Sequence, residues 1–232
     1  MDSTGSDRQD AVATIALISA KGGQGCSTTA AALAIQQARA GRRVELCSAD
    51  AEMPLVLGLP FAAGDRGPVE VIEGLTLGSA SEAHGAGVDL RVLDCGADTP
   101  PADAAVVCLV SSGCYLALAA ATRDPRVNAH LGGGAAGRTA DGLVHVEQPG
   151  RAVTGRDAAD VLGLPLVATV PHDRHVARCV DAGVLARRLP QQLVAPLGDL
   201  AATVGLAPGR PGPQPLERSG ATGRGVPARE GR

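Results

Sequence analysis

No stretch of this 232-residue chain limits its fold more than Ile18 to Thr29, where a continuous apolar run meets a helical run through glycines at 22, 23 and 25. Glycine allows left-handed turns and a close approach of the backbone to an anion. Successive N–H groups of such a loop, followed by a helix N-terminus, make a cradle for phosphate oxygens. Ser27 then stands where a hydroxyl faces a phosphate-bound Mg2+. Strand, glycine loop and helix in that order predict an α/β fold: a mostly parallel, doubly wound sheet with helices on both faces.

Against the general phosphate-loop pattern G-x-x-x-x-G-K-[ST], Gly25 and Ser27 match, Ala20 replaces the first glycine and Cys26 replaces the lysine. The segment Lys21, Gly22, Gly23, Gln24, Gly25 resembles the K-G-G-x-G-K-[ST] loop of the ParA/MinD family of P-loop ATPases. The resemblance implies that Gly22, Gly23, Gln24, Gly25, Cys26, Ser27 and Thr28 line a bound nucleotide. It also implies that Lys21 acts catalytically, reaching across a dimer to the partner's nucleotide. Lys21 is the only lysine in the chain, although lysine is ordinarily among the commonest residues. Two other readings of the loop stay open. One is a plain turn before a helix; the other is a dinucleotide fingerprint with Asp50 on the ribose, in which Thr28 occupies the third glycine position.

Further along, apolar periodicity and breakers predict strands at 11–20, 43–48, 104–110, 142–147 and 164–170, and a strand or hairpin near a sheet edge at 69–77. Helices are predicted at 28–40, 114–121, 156–162 (with Thr154 as N-cap) and 191–204. The 43–48 strand delivers Asp50 at its carboxyl end, where open α/β sheets bind ligands. Asp50 to Pro54 and Leu57 to Leu59 resemble the family's D-x-D-P and L-G-L segments, with Ser48 in place of the first acid. The resemblance puts Asp50 beside the attacking water. Asp89 to Gly96 resembles the family strand that carries an Asp to the metal, so Asp94 is expected with Ser27 on Mg2+, a hard ion that prefers oxygen. Pro171 to Gly183 resembles the closing P-x-D segment, so Pro171 and Asp173 are expected beside the base. Where that family often carries an adenine-reading Asn, this chain has Glu147, Gln148 and Pro149. His172 and His175 invite a metal reading, but their spacing suits a helix start equally well. Tyr115 is expected to pack with its hydroxyl at the surface.

Composition excludes some partners. With a net charge of −3, one Phe and one Tyr, the chain offers neither a broad basic surface nor stacking platforms, so at most weak DNA binding is expected. Its Arg, Ala and Gly bias leads to the expectation of a GC-rich bacterial genome, an actinobacterial one. Six cysteines without a C-x-x-C pair read as reduced thiols in a cytoplasmic protein. A redox role for Cys26 stays open, since a helix N-terminus and Lys21 would both favour its thiolate. No apolar stretch reaches the ~18 residues of a membrane span, and the tail lacks the basic and bulky faces of an anchoring amphipathic helix. Three regions are expected: a disordered N-terminus at 1–10, one P-loop domain at 11–206, and a disordered tail rich in Pro, Gly and Arg at 207–232.

The resemblance therefore implies a Mg-ATP-dependent dimerising switch for intracellular positioning or partitioning, binding ATP and ADP and acting with a protein partner. Hydrolysis is expected to be weakened because Cys26 cannot neutralise phosphate charge. The alternative is a non-hydrolysing pseudo-ATPase that keeps the fold as a scaffold.

Overall fold

A computed structural model describes residues 12–60, 67–78, 87–128 and 138–206. The expected disordered ends and the Gly/Ala-rich stretch 131–137 lie outside these residues. The order is β1 (Ala13–Ile18), α1 (Cys26–Arg39), β2 (Val44–Ser48), α2 (Met53–Leu57), β3 (Val69–Ile72), β4 (Leu75–Gly78), β5 (Leu90–Gly96), β6 (Val106–Ser112), α3 (Tyr115–Ala121), β7 (Gly142–Glu147), α4 (Gly155–Leu162), β8 (Leu166–Pro171), α5 (Arg174–Asp181), a 3-10 turn (Gln191–Leu193) and α6 (Val194–Ala202).

The strands form one eight-stranded sheet in the order β3-β4-β2-β5-β1-β6-β7-β8. Every neighbouring pair is parallel except the β3–β4 hairpin, which is antiparallel and sits at one edge. β1 is an unbroken apolar run because both of its faces are covered: Ile15 and Leu17 enter one core, Ala16 and Ile18 the other. Side chains alternate along a strand, so both sets are buried only when helices lie on both sides. Helices α1, α2, α5 and α6 build the first core, α3 and α4 the second. A buried ion pair, Arg91 to Glu45 at 3.2 Å, crosses the β2–β5 ladder on the second face.

Helix α1 owes its closeness to the sheet to its alanines. Ala30, Ala31, Ala32 and Ala34 are almost wholly buried, and small side chains with high helix propensity allow that approach. The first glycine requirement lies elsewhere. A Cβ on Gly58, after α2, would stand 2.0 Å from the carbonyl oxygen of Gly183, after α5. The two loop segments thus touch backbone to backbone.

Several expectations shift in detail. α1 begins at Cys26 rather than at 28, because Gly25 in a left-handed conformation already turns the chain into the helix. The C-terminal helix opens as a 3-10 turn, and Pro196 falls in the first turn of α6, where a missing N–H costs little. Tyr115 is 77% exposed, not packed. Thr154 caps α4 as expected, and reciprocally: its hydroxyl accepts from Asp157 N while the Asp157 carboxylate accepts from Thr154 N.

Candidate functional site

The glycine loop leaves β1 at the carboxyl edge of the sheet. Its backbone turns on two left-handed residues, Gly23 (φ 76°) and Gly25 (φ 84°). No side chain caps α1, so the first helical amides are left for another acceptor, the arrangement that favours an anion. The loop is tied down from below. Gln24 is buried, and its Oε1 accepts from Ser112 N at 3.0 Å and Ser112 Oγ at 2.8 Å. Its Nε2 donates to Gly22 O. The Gln24 carboxamide is therefore a brace to β6, leaving its backbone to face a ligand. Thr29 Oγ1 donates to Gly25 O at 2.8 Å and closes the first turn. Lys21 is exposed at the loop tip.

Beside the loop, three expected residues come together through a fourth that sequence reasoning passed over. Ser27 Oγ donates to Asp50 Oδ2 at 3.2 Å. Asp50 N donates to Ser48 Oγ at 3.0 Å, and Ser48 Oγ donates to Asp94 Oδ2 at 2.9 Å. Glu52 N donates to Asp50 Oδ1 at 2.9 Å, which pins that carboxylate over the start of α2. Ser48, read from sequence only as a missing acid, is the hinge that holds Asp50 and Asp94 in one network. The β2–β5 register, with Ser48 opposite Asp94, makes this pairing inevitable, but register is not visible in sequence.

Asp94 is 6% exposed, and its Oδ1 has no hydrogen-bond partner among the described residues. A buried carboxylate oxygen without a partner is costly, and a bound cation would satisfy it. Two carboxylates and a hydroxyl are the oxygen donors that Mg2+ takes while keeping waters and phosphate oxygens. The residues present thus fit Mg2+. No group of three His, Cys, Asp or Glu among the described residues could hold a metal alone, and His172 and His175 join none.

Cys26 begins α1 with its side chain turned inward, 6% exposed. Burial pushes its thiol well above the ordinary value, and the charge of the neighbouring Asp94, with a hydrogen bond to it, pushes it further. This weighs against the redox reading of Cys26 left open above, since desolvation and an adjacent carboxylate outweigh the helix start.

A cavity of about 230 Å3 adjoins the loop, running from Gly23 and Gly25 past Thr28 and Ala32 to Pro171 and Asp173. Its floor is apolar, formed by Val176, Leu193 and Leu197. That floor had no motif to betray it, since α6 contributes through packing alone. At the rim, the Asp173 carboxylate accepts from His175 N and caps α5, and His172 N donates to Glu147 O at 2.9 Å. The volume suits a flat ring system better than a whole drug-sized ligand, which needs roughly 300–1,000 Å3. Gln148, from the Glu147–Pro149 stretch noted in the sequence, lines the cavity.

The fold is one shared with solved proteins of the α/β class. The chain is similar in structure to the septum site-determining protein MinD of Pyrococcus horikoshii, solved with Mg-ADP, with a TM-score of 0.65 and 20% identity over 84% of this chain and 96% of that one. It is also similar to a chain of the MinC:MinD cell division protein complex of Aquifex aeolicus, with a TM-score of 0.64 and 15% identity over 90% and 100%. An ATP complex of McdA from Cyanothece matches with a TM-score of 0.61 and 15% identity over 84% and 97%. No family model matches the sequence, and no curated protein does. At such identities the likeness establishes the fold.

Proposed function

We propose that residues 11–206 form a ParA/MinD-like nucleotide-binding switch that takes Mg-ATP and Mg-ADP at the glycine loop and dimerises with nucleotide bound. The observation that carries this reading is the network Ser27–Asp50 and Ser48–Asp94 beside Gly23 and Gly25, with a buried Asp94 oxygen left for a cation. The solved neighbours that hold Mg-ADP and ATP support the choice of ligand. The neighbour from the MinC:MinD complex supports a protein partner for a positioning or partitioning role.

In this reading the backbone N–H groups of Gly22 to Ser27 hold phosphate oxygens, and Thr28 borders the phosphates. The apolar floor with Pro171 and Asp173 holds the base. Ser27 and Asp94 hold Mg2+, which when bound neutralises phosphate charge. Asp50 orients a water at the terminal phosphate, and Lys21 extends to the partner's nucleotide. A second reading, a pseudo-ATPase scaffold, is favoured by one observation: Cys26 presents a neutral, inward-facing thiol where the family pattern has an ammonium. Both readings share nucleotide binding and differ in turnover. The protein acts in the cytoplasm; no helix of the described residues is long and apolar enough to cross a membrane. DNA binding is weak, since few cations are available for counterion release.

Calorimetry with Mg-ADP, Mg-ATP and each nucleotide in EDTA tests the reading. Micromolar or weaker binding that strengthens with Mg2+ is the expected result. No heat with any nucleotide at millimolar concentration rejects it, while brisk turnover by a dilute monomer rejects the assignments of Cys26 and Lys21.

A further inference from the structure

We infer that Arg126 is a positioning residue that locks the glycine loop to the strand end carrying Asp94, so that phosphate loop and metal carboxylate behave as one body. Arg126 lies after α3, distant in sequence from both. Asp124 first fixes its guanidinium: Nε donates to Asp124 Oδ1 at 3.0 Å and Oδ2 at 3.2 Å, and Nη2 to Oδ2 at 2.6 Å. The remaining donors reach backbone. Nη2 donates to Ser19 O at 3.0 Å, and Nη1 to Gly96 O at 3.1 Å and Asp98 O at 2.8 Å. Ser19 opens the glycine loop, Gly96 ends the strand that carries Asp94, and Asp98 lies just beyond it.

The place is where the sheet itself stops holding these ends. β1 and β5 pair regularly up to Leu17 opposite Asp94, and then the register slips so that Ile18 lies opposite Gly96. One backbone bond, Ser19 N to Gly96 O at 2.7 Å, continues beyond the slip. Arg126 supplies three more, from a side chain only 14% exposed. A guanidinium has five N–H donors in a planar fork, and each has a partner here; a lysine ammonium has three and cannot reproduce the fork. Burial pushes the Asp124 carboxyl up, but its bonds with Arg126 outweigh that and hold it below the usual carboxylate range. The brace therefore stays ionised near neutral pH.

The ligand-dependent part of this inference rests on the proposed nucleotide reading, so the test has one arm that does not. Hydrogen exchange is followed by mass spectrometry on the nucleotide-free full chain and on Arg126→Lys, with Asp124→Asn as a milder second variant. Exchange is expected to rise together in peptides covering Ser19 to Gly25 and Gly96 to Asp98, by about tenfold, with β7 and β8 unchanged. Unchanged exchange, or a rise confined to 124–128, overturns the inference. In the second arm, a fluorescent ADP analogue is titrated with Mg2+ or with EDTA. The affinity gain conferred by Mg2+ is expected to fall about fivefold in Arg126→Lys, with affinity in EDTA altered less than about twofold. Equal losses under both conditions would mean a merely structural role and overturn it. Should the unaltered chain bind no nucleotide, the nucleotide reading fails while the exchange arm still judges the clamp.

Discussion

Helices α1 and α3 both start with a cysteine, and the two thiols are driven in opposite directions. Cys26 at the first position of α1 is buried against Asp94 and pushed well up. Cys114, the N-cap of α3, has its thiolate favoured by backbone N–H groups of Ala117 and Leu116, with Arg151 and Lys21 nearby, and is held below the ordinary value. A helix start alone thus does not activate a thiol. What decides is whether water and cations or a carboxylate and apolar wall surround the sulfur.

The largest expected effect is kinetic. At pH 7.5 iodoacetamide should label Cys114 at least about a hundredfold faster than Cys26, since labelling of a buried thiol waits on local opening. Peptide mass spectrometry of a time course reads this directly. Comparable rates would mean that the inward placement of Cys26 is wrong.

Placing a lysine at each helix start should separate them next. Cys26→Lys is expected to tighten Mg-ATP binding by about ten- to a hundredfold, the value of one charge-assisted contact. Cys114→Lys should alter it less than about twofold, because a change at this half-buried N-cap outside the nucleotide cavity adds only a partly screened charge. Calorimetry on both variants suffices, and equal responses would remove the distinction between the two sites.

The alkaline limb of stability gives a smaller signal. A thiol whose folded value is raised keeps its full contribution below the ordinary value near 8.5 and loses it as pH rises towards the folded value. The reason is that the unfolded state gives up the proton first. Cys47 and Cys95, each pushed to about 11, and Cys108, pushed to about 12, act in the same direction. Urea midpoints should therefore fall between pH 8.5 and 10.5, and Cys26→Ala should make the fall shallower. Cys114, lowered rather than raised, has the opposite sign. A steeper fall in Cys26→Ala would contradict the burial argument.

The smallest effect belongs to Cys114→Ser. Serine is a good N-cap and nearly matches cysteine in size at this half-buried position, so stability should change by less than about 0.5 kcal/mol. A thermal-denaturation shift of many degrees would show that the Cys114 sulfur carries packing that a serine cannot replace.

Much of the fold was legible because its signals are local. The apolar run of β1, the turn glycines at 23 and 25, and the alanine-dense stretch after them name a strand, a loop and a buried helix without reference to anything distant. Thr154 marks the start of α4 in the same way. The edge position of the 69–77 hairpin followed from its alternation. What escaped were pairings between remote segments. Ser48 looked like a defect in a motif, yet opposite Asp94 it joins both carboxylates. Leu193 and Leu197 looked like ordinary helix residues, yet they floor the cavity. Arg126 carried no motif at all.

By itself, then, the sequence determined the fold class and the glycine-loop edge of the sheet, because periodicity, glycine conformation and helix propensity act over a few neighbouring residues. Only the tertiary structure decided that Cys26 faces inward to Asp94 with its proton held more tightly, that Cys114 shifts the other way, and that Arg126 ties Ser19 to Gly96. Those outcomes depend on strand register and burial, which arise from contacts between segments tens of residues apart, and the proton affinity of a side chain follows from what surrounds it rather than from its place in the chain.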